Sequence, residues 1–202
     1  MQASRNQLIS AAAVLLLLVI GGIVALSLSG VPGGVQNTSL AIGGTFSLQD
    51  TNGKRVTEKD FFGKPLLVFF GYTSCPDFCP SALDRMSTAL EKLGPAADRL
   101  NAVFITFDPE RDTPTVLADY VNNFSPRIKG LTGSADEIAA AARAYRVYFK
   151  RTKEERSSAG YSFDHTSLIY LMDAAGAYHQ HFAPTDGPDQ IAAGLKLLLE
   201  GN

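Results

Sequence analysis

The chain has 202 residues, of which 46% are hydrophobic and 19% charged, and its formal net charge is -2. This length allows one domain of ordinary size with a short appendage, since domains usually run to about 100–200 residues. The composition excludes a disordered or collagen-like chain, and without an excess of basic residues we expect no nucleic-acid partner. Two cysteines are too few for a disulfide framework, so they are interpreted as one pair: a bridge, a redox couple or two metal ligands.

An uncharged apolar run covers residues 8–28, about the length that crosses a bilayer core. It is longer than the apolar part of a cleaved signal peptide, which is the alternative, so the sequence favours a transmembrane anchor. Arg5 is the only charge before it, which indicates a short cytoplasmic N-terminus over residues 1–7 and a bacterial inner membrane with the domain facing the periplasm. Residues 29–44 are rich in small and polar residues and are interpreted as a flexible tether.

The rest of the chain, residues 45–202, has alternating strand and helix patterns. A hairpin is predicted over 45–56 around Asn52-Gly53, strands over 64–71, 100–107, 161–173 and 176–182, and helices over 80–93, 114–124, 136–149 and 189–199. This order predicts an α/β domain that opens with a hairpin.

Cys75 and Cys79 lie in the segment Cys-Pro-Asp-Phe-Cys-Pro, between a predicted strand and a predicted helix. With Pro80 in the first helical position, Cys79 is expected at the N-cap, where free N–H groups and the helix dipole favour a thiolate. A thiolate is both a nucleophile and a metal ligand. Two functions therefore stay open: metal binding, and thiol-disulfide exchange of the thioredoxin kind, whose motif has two intervening residues instead of three.

Metal binding needs a third donor, and His165 is the candidate. It lies near the start of the predicted strand over 161–173, in a segment interpreted as the loop that enters the strand, where a thioredoxin-like fold brings the chain opposite the cysteine loop. Generic thioredoxins place a cis-proline there, but this chain has no proline between Phe163 and Asp173. His179 and His181 are separated by Gln180, so both point to the same face of a predicted strand. They could form a second metal site, but they are interpreted as surface residues.

Three motifs follow one another in a recognisable order: Gly71–Pro80 (GYTSCPDFCP), Phe107–Pro114 (FDPERDTP), and Asp164-His165-Thr166 before a strand. Together with the N-terminal anchor, they resemble the Sco (SenC) family of copper chaperones for cytochrome c oxidase assembly. The resemblance implies a thioredoxin-like domain that binds one copper ion, Cu(I) or Cu(II), through Cys75, Cys79 and His165. Two thiolates and one imidazole independently suit Cu(I), whereas zinc would want a fourth ligand.

The resemblance also implies a function. We expect a membrane-tethered metallochaperone, not a turnover enzyme, which delivers copper to, or reduces the cysteines of, the copper site of a terminal cytochrome oxidase. Its expected partners are the copper-site subunit of that oxidase, an upstream copper donor and a thioredoxin-like reductant. The alternative is a membrane-anchored thiol-disulfide oxidoreductase or peroxidase that uses the cysteine pair without metal and does not need His165. Asp108 and Asp112 are interpreted as turn and helix-cap residues.

Overall fold

The structure, a computed structural model, describes residues 41–154 and 160–201. The predicted cytoplasmic N-terminus, the predicted anchor and most of the predicted tether lie outside these residues. Within residues 41–154 and 160–201, no helix is both long enough and apolar enough to cross a membrane. Ile42 and Gly43, at the end of the predicted tether, contact the domain: Ile42 packs against the core, and the Gly43 N–H donates to the Ala144 carbonyl at 2.9 Å.

Nine strands and four α-helices make up the described chain. The strands are β1 (Ser47–Asp50), β2 (Arg55–Thr57), β3 (Leu66–Gly71), β4 (Asn101–Thr106), β5 (Ile128–Thr132), β6 (Phe149–Lys153), β7 (Tyr161–His165), β8 (Ile169–Met172) and β9 (Tyr178–Phe182). The helices are α1 (Phe78–Leu93), α2 (Pro114–Asn122), α3 (Ala135–Ala144) and α4 (Pro188–Glu200), with short 3-10 turns at Glu58–Phe61 and Gly94–Arg99.

A seven-stranded sheet in the order β2-β1-β5-β4-β3-β8-β9 forms the centre of the domain. β3, β4 and β5 are parallel, and the remaining neighbours are antiparallel. All six residues of β3 are buried, as expected for a central strand whose apolar side chains are covered on both faces. This mixed sheet with crossover helices confirms the predicted α/β, thioredoxin-like fold, and β1 and β2 form the predicted N-terminal hairpin.

The predicted helix over 136–149 is too long. α3 begins after a capping box between Ser134 and Glu137 and ends at Ala144. Arg146 then adopts a left-handed conformation with φ of 58°, which a helix does not continue through. The following residues form β6 instead of a last helical turn.

The predicted strand over 161–173 is two strands. β7 leaves the main sheet and pairs with β6 in a separate antiparallel hairpin, with Phe149 opposite His165. β8 then pairs with β3 in the main sheet. His165 is the last residue of β7, so the hairpin carries this histidine at its end.

No strand is predicted from the sequence at residues 128–132, where the structure has β5. Gly130 in its middle weakens the strand pattern. The structure explains this glycine: a Cβ at Gly130 would lie 2.6 Å from Cγ of Leu117, which packs against the strand from α2. Close helix packing, which the local pattern does not reveal, therefore requires glycine in β5.

Candidate metal centre

The two cysteines lie where β3 ends and α1 begins. α1 begins at Phe78 with Asp77 as its N-cap. The prediction that Cys79 is the N-cap is therefore wrong, because Cys79 lies inside the first turn. Its backbone N–H, one of the donors that a helix start leaves without an intrahelical acceptor, points at the Cys75 Sγ at 3.4 Å.

His165 reaches the cysteines from the end of β7. Its Nε2 lies 3.9 Å from the Cys79 Sγ, and its Nδ1 lies 3.0 Å from the carbonyl oxygen of Thr166. A carbonyl oxygen can only accept, so Nδ1 carries a proton, and Nε2 is the ring nitrogen that faces the sulfurs. The rings of Tyr72 and Phe107 contact the imidazole, with centroid distances of 6.0 and 5.0 Å, and hold it in place.

The structure brings the three residues singled out from the sequence together. One ligand atom from each of Cys75, Cys79 and His165 lies within 4.8 Å of the others, and within residues 41–154 and 160–201 no further group of three metal-binding side chains occurs. His179 and His181 lie on β9 away from this group. The His181 Nδ1 is hydrogen-bonded to the hydroxyl of Tyr178 at 2.6 Å.

The two sulfurs differ in their proton affinity. A hydrogen bond from the Cys79 thiol lowers the pKa of Cys75 to about 4 against the opposing effect of burial, and His165 and backbone N–H groups add to this effect. Burial, followed by the adjacent Cys75 sulfur, raises the pKa of Cys79 above its usual range. The reduced, metal-free centre therefore holds a thiolate at Cys75 and a thiol at Cys79 near neutral pH. This is the reverse of the assignment based on a helix N-cap, because burial outweighs the helix dipole at Cys79.

The imidazole is also affected by this charge. Burial is the largest single effect and opposes protonation of His165. The hydrogen bonds to Cys75 and to the Thr166 carbonyl, together with the negative charges of Cys75 and Asp164, outweigh it, so the pKa of His165 is raised. The protonation of the Cys75 sulfur and that of the His165 imidazole therefore depend on each other. A metal ion must displace these protons, because thiolate sulfur and neutral imidazole are the forms that coordinate.

An open cleft of about 830 Å³ leads to the centre. It is lined by Tyr72, Ser74, Cys75, Pro76, Phe78, Glu154, Tyr161, Ser162, Phe163, Asp164, His165 and Ser167. Cys79 lies behind this surface and is 0% exposed, whereas Phe78, next to it in sequence, is 56% exposed. An ion or partner that enters the cleft therefore meets Cys75 and His165 before Cys79.

Asp108 supports the strand that carries His165. Its carboxylate forms an ion pair with Arg111 and accepts a hydrogen bond from the Tyr161 hydroxyl at 3.0 Å. The guanidinium carbons of Arg111 and Arg151 lie 3.9 and 4.1 Å from the centroid of the Tyr161 ring. The interpretation of Asp108 as a turn residue is thus incomplete: its backbone carbonyl closes a turn with the N–H of Arg111, and its side chain links β4 to β7.

The chemistry of the donor set favours a soft, monovalent ion. Two cysteine sulfurs and one imidazole nitrogen match the ligands that Cu(I) prefers, and three donors are enough for its low coordination number. A structural zinc site would have four protein ligands, and in the described part of the chain no carboxylate joins the three donors. The residues present therefore fit a copper ion.

The fold and the centre define a class of protein: a thioredoxin-like domain with two cysteines between its central strand and the following helix, and one histidine at the end of a separate hairpin. Residues 35–200 match the family model described as SCO1/SenC. The chain is 38% identical over 162 residues to an SCO2-like protein of Rickettsia felis, covering 80% of this chain and 79% of that one. It is 39% identical over 156 residues to the human mitochondrial SCO1 homolog, covering 76% of this chain and 52% of the human protein.

Solved structures agree with these matches. The copper-bound structure of Bradyrhizobium japonicum ScoI is 47% identical in sequence, with a TM-score of 0.72 over 78% of this chain and 99% of that chain. Copper-bound yeast Sco1 is 35% identical, with a TM-score of 0.73 over 80% of this chain and 90% of that chain. The chain belongs to the SCO1/SenC family, which confirms the resemblance found in its motifs.

Proposed function

We propose that this protein is a copper carrier that binds one copper ion through Cys75, Cys79 and His165. The observation that carries the proposal is the convergence of these three donors within 4.8 Å of one another beside an open cleft. Relatives from Bradyrhizobium and yeast have been solved with copper bound, and their similarity to this chain supports the same cargo. Thiolate ligands favour Cu(I), while the imidazole gives the site a donor that Cu(II) also accepts.

The recipient in this proposal is the copper-site subunit of a terminal cytochrome oxidase. The protein would deliver copper to that site or reduce its cysteines, with an upstream copper donor and a thioredoxin-like reductant as further partners. A structural relative of 22% identity is described as a member of the Sco family of cytochrome c oxidase assembly proteins. The cleft lets a partner approach Cys75 and His165 directly, which is what ligand exchange between two proteins requires.

The proposed location is the bacterial inner membrane, with a single span at residues 8–28 and the domain in the periplasm. The proposal rests on the uncharged apolar run, the single Arg5 before it and the tether over residues 29–44. A tethered domain would stay near a membrane-bound oxidase and so keep a high local concentration at its target.

One observation favours a second function, thiol-disulfide reduction or peroxidase activity without metal. Cys75 lines the cleft and its pKa is lowered to about 4, so it is present as the nucleophilic thiolate at neutral pH. Such an enzyme would need the two cysteines, whereas a copper carrier also needs His165. The histidine is therefore the residue that separates the two functions.

The test is metal analysis of the reduced protein after loading with copper. The wild-type protein is expected to hold one copper ion, and Cys75→Ser and Cys79→Ser are expected to lose tight binding. His165→Ala should weaken Cu(II) more than Cu(I), because two thiolates can still hold the monovalent ion. The control, His179→Ala combined with His181→Ala, should bind like wild type. Wild-type protein without stoichiometric copper, or copper lost only from the control, would contradict the proposed site.

A further inference from the structure

Asp112 is a buried carboxylate next to the cysteine loop. Its residue is 0% exposed, and its carboxylate accepts three hydrogen bonds: from the Thr73 backbone N–H at 2.9 Å, from the Thr73 hydroxyl and from the Thr106 hydroxyl. Burying a carboxylate is costly unless several donors compensate it. The three donors offset part of this cost, and they connect the loop that contains Cys75 to the end of β4.

The geometry of the parallel sheet explains why these donors meet. Gly71 at the end of β3 lies opposite Thr106 at the end of β4. The chain that leaves β3 therefore passes beside the chain that leaves β4, and Thr73 comes within reach of Asp112. Neither threonine stands out in the sequence, because the contact of each with Asp112 depends on how β3 and β4 pair in the sheet.

Asp112 is itself held in place. Its backbone N–H donates to the Asp108 carbonyl at 2.9 Å. The next residue, Thr113, is the N-cap of α2, and its side chain accepts from the Val116 N–H. The carboxylate is therefore attached to a closed turn and to a helix start.

Two residues attach the beginning of the cysteine loop: Tyr72, whose buried ring packs against Phe107 and Phe163, and Thr73, which forms the hydrogen bonds to Asp112. Beyond Gly71 it has left the β-ladder, and it enters α1 only at Phe78. The Cys75 N–H donates to the Tyr72 carbonyl at 3.3 Å, which is a contact within the loop. Thr73 thus links the loop to the neighbouring element, two residues before Cys75. Ordering a loop residue costs conformational entropy, so a loop that is already ordered binds a ligand at lower cost.

We infer that Asp112 is a positioning residue for the metal centre: through Thr73 it holds the cysteine loop so that Cys75 lies over the first turn of α1. This inference rests on the proposed copper site, but it concerns a residue that contacts none of the three donors by a hydrogen bond. Asp112 acts by shape and hydrogen bonding. Its variants should therefore change how well the two sulfurs are placed together, whether the ligand is copper or the second sulfur of a disulfide.

Three variants of the full-length chain, purified in detergent, separate this role from general stability. Asp112→Ala removes the acceptor, Thr73→Val removes one donor with little change in shape, and Asp112→Asn keeps the shape. Burial raises the pKa of Asp112 despite the hydrogen bonds from Thr106 and Thr73. The neutral asparagine can accept from the Thr73 N–H and the Thr106 hydroxyl through its oxygen and donate to the Thr73 hydroxyl. The control is Ser87→Ala, which deletes a buried hydroxyl bonded to the Phe124 carbonyl at 2.7 Å, away from the loop.

Two quantities are measured on each folded variant: Cu(I) affinity, by competition with a chromophoric Cu(I) chelator, and the reduction potential of the Cys75–Cys79 pair without metal. Asp112→Ala is expected to weaken Cu(I) binding at least about tenfold and to raise the potential, because a looser loop forms the disulfide less readily. Thr73→Val should show a smaller change in the same directions. Asp112→Asn should stay within about threefold of wild type, and Ser87→Ala should change neither quantity although it lowers stability.

Wild-type affinity and potential in folded Asp112→Ala would overturn the inference. If that variant does not fold, unchanged values in Thr73→Val would overturn it equally. A large loss in Asp112→Asn, equal to that of the alanine variant, would also contradict a role based on shape. Failure of the proposed function looks different: wild-type protein itself would not bind Cu(I), or Cys75→Ser would bind it as tightly as wild type.

Discussion

The sulfur of Cys79 occupies the space that a side chain at Gly71 would need: a Cβ at this position would lie 2.7 Å from the Cys79 Sγ and 2.7 Å from the Phe104 ring. Gly71 is the last residue of β3, so the buried sulfur packs directly on the backbone of the central strand. The glycine is required for close approach and not for an unusual backbone conformation.

We therefore expect Gly71→Ala to displace Cys79 and to impair the centre. Overpacking of this kind costs about 1–3 kcal/mol of the free energy of unfolding, measured by urea denaturation of the reduced protein. Cu(I) affinity should fall at least about tenfold, which corresponds to about 1.4 kcal/mol. The control is Gly187→Ala, where the nearest atom to the added Cβ is the Gln190 Oε1 at 3.8 Å. Unchanged copper affinity in a stable Gly71→Ala protein would mean that the sulfur is free to move.

The unequal pKa values predict which cysteine reacts first. In reduced, metal-free protein at about pH 6, iodoacetamide should modify Cys75, whose pKa is about 4, and should leave Cys79 unmodified because it is buried with a raised pKa. Site-resolved mass spectrometry gives the extent of reaction at each sulfur. The Cys75→Ser protein should stay unmodified until it is unfolded in urea. Preferential labelling of Cys79 in the folded wild-type protein would contradict the assignment.

The same pKa difference predicts how stability depends on pH. In the folded protein Cys75 loses its proton at about pH 4, while an unfolded cysteine keeps it until about pH 8.5. Between about pH 4.5 and 6 the unfolded state therefore binds about one more proton at this residue, so stability rises with pH and is lost as pH falls through the folded pKa. His165, whose pKa is raised in the folded protein, is mostly protonated in both states at the acidic end of this window and adds little slope there.

Chemical denaturation of reduced, metal-free wild type and of Cys75→Ser at several pH values tests this dependence. The difference between their free energies of unfolding should increase from about pH 4.5 to 6 with a slope of about one proton. Carboxylates titrate alike in both proteins and cancel in the difference. Parallel curves for the two proteins would show that Cys75 has an ordinary pKa.

Copper and a disulfide should exclude each other, because copper needs both sulfurs as thiolates and a Cys75–Cys79 disulfide offers neither. Copper stoichiometry and free thiol content, measured across a series of poised redox buffers, should fall with a common midpoint. Bound copper should also protect the cysteines of the reduced protein from alkylation. A fully oxidised protein that still held copper tightly would refute the assignment of the two sulfurs as ligands.

Much of the fold could be predicted from the sequence because its signals are local. The apolar run at 64–71, the Asn52-Gly53 turn and the capping residues around Ser134 each describe their own segment. β5 was beyond this kind of reasoning, since Gly130 is explained only by Leu117 of α2. The interruption of the predicted strand after His165 could not be predicted either, because it results from the pairing of β7 with β6.

The metal centre also combines features with a local sequence signal and features that depend on tertiary contacts. Cys75 and Cys79 stand out by their spacing, and His165 by its place before a strand. The acidity of each sulfur could not be predicted, because it depends on burial and on the hydrogen bond between the two sulfurs. The role of Asp112 was hidden as well, since its partners Thr73 and Thr106 belong to other elements.

The separation of 86 positions between Cys79 and His165 has a consequence for biogenesis. A chain whose synthesis has passed α1 already contains both sulfurs, but the imidazole joins them only after the β6–β7 hairpin has formed and docked. An ion that prefers all three donors therefore binds the finished domain in preference to its partly synthesised forms. Ligand at a hundred times its dissociation constant stabilises the folded state by about 2.7 kcal/mol. Copper held by all three donors would therefore stabilise only chains in which this hairpin has docked.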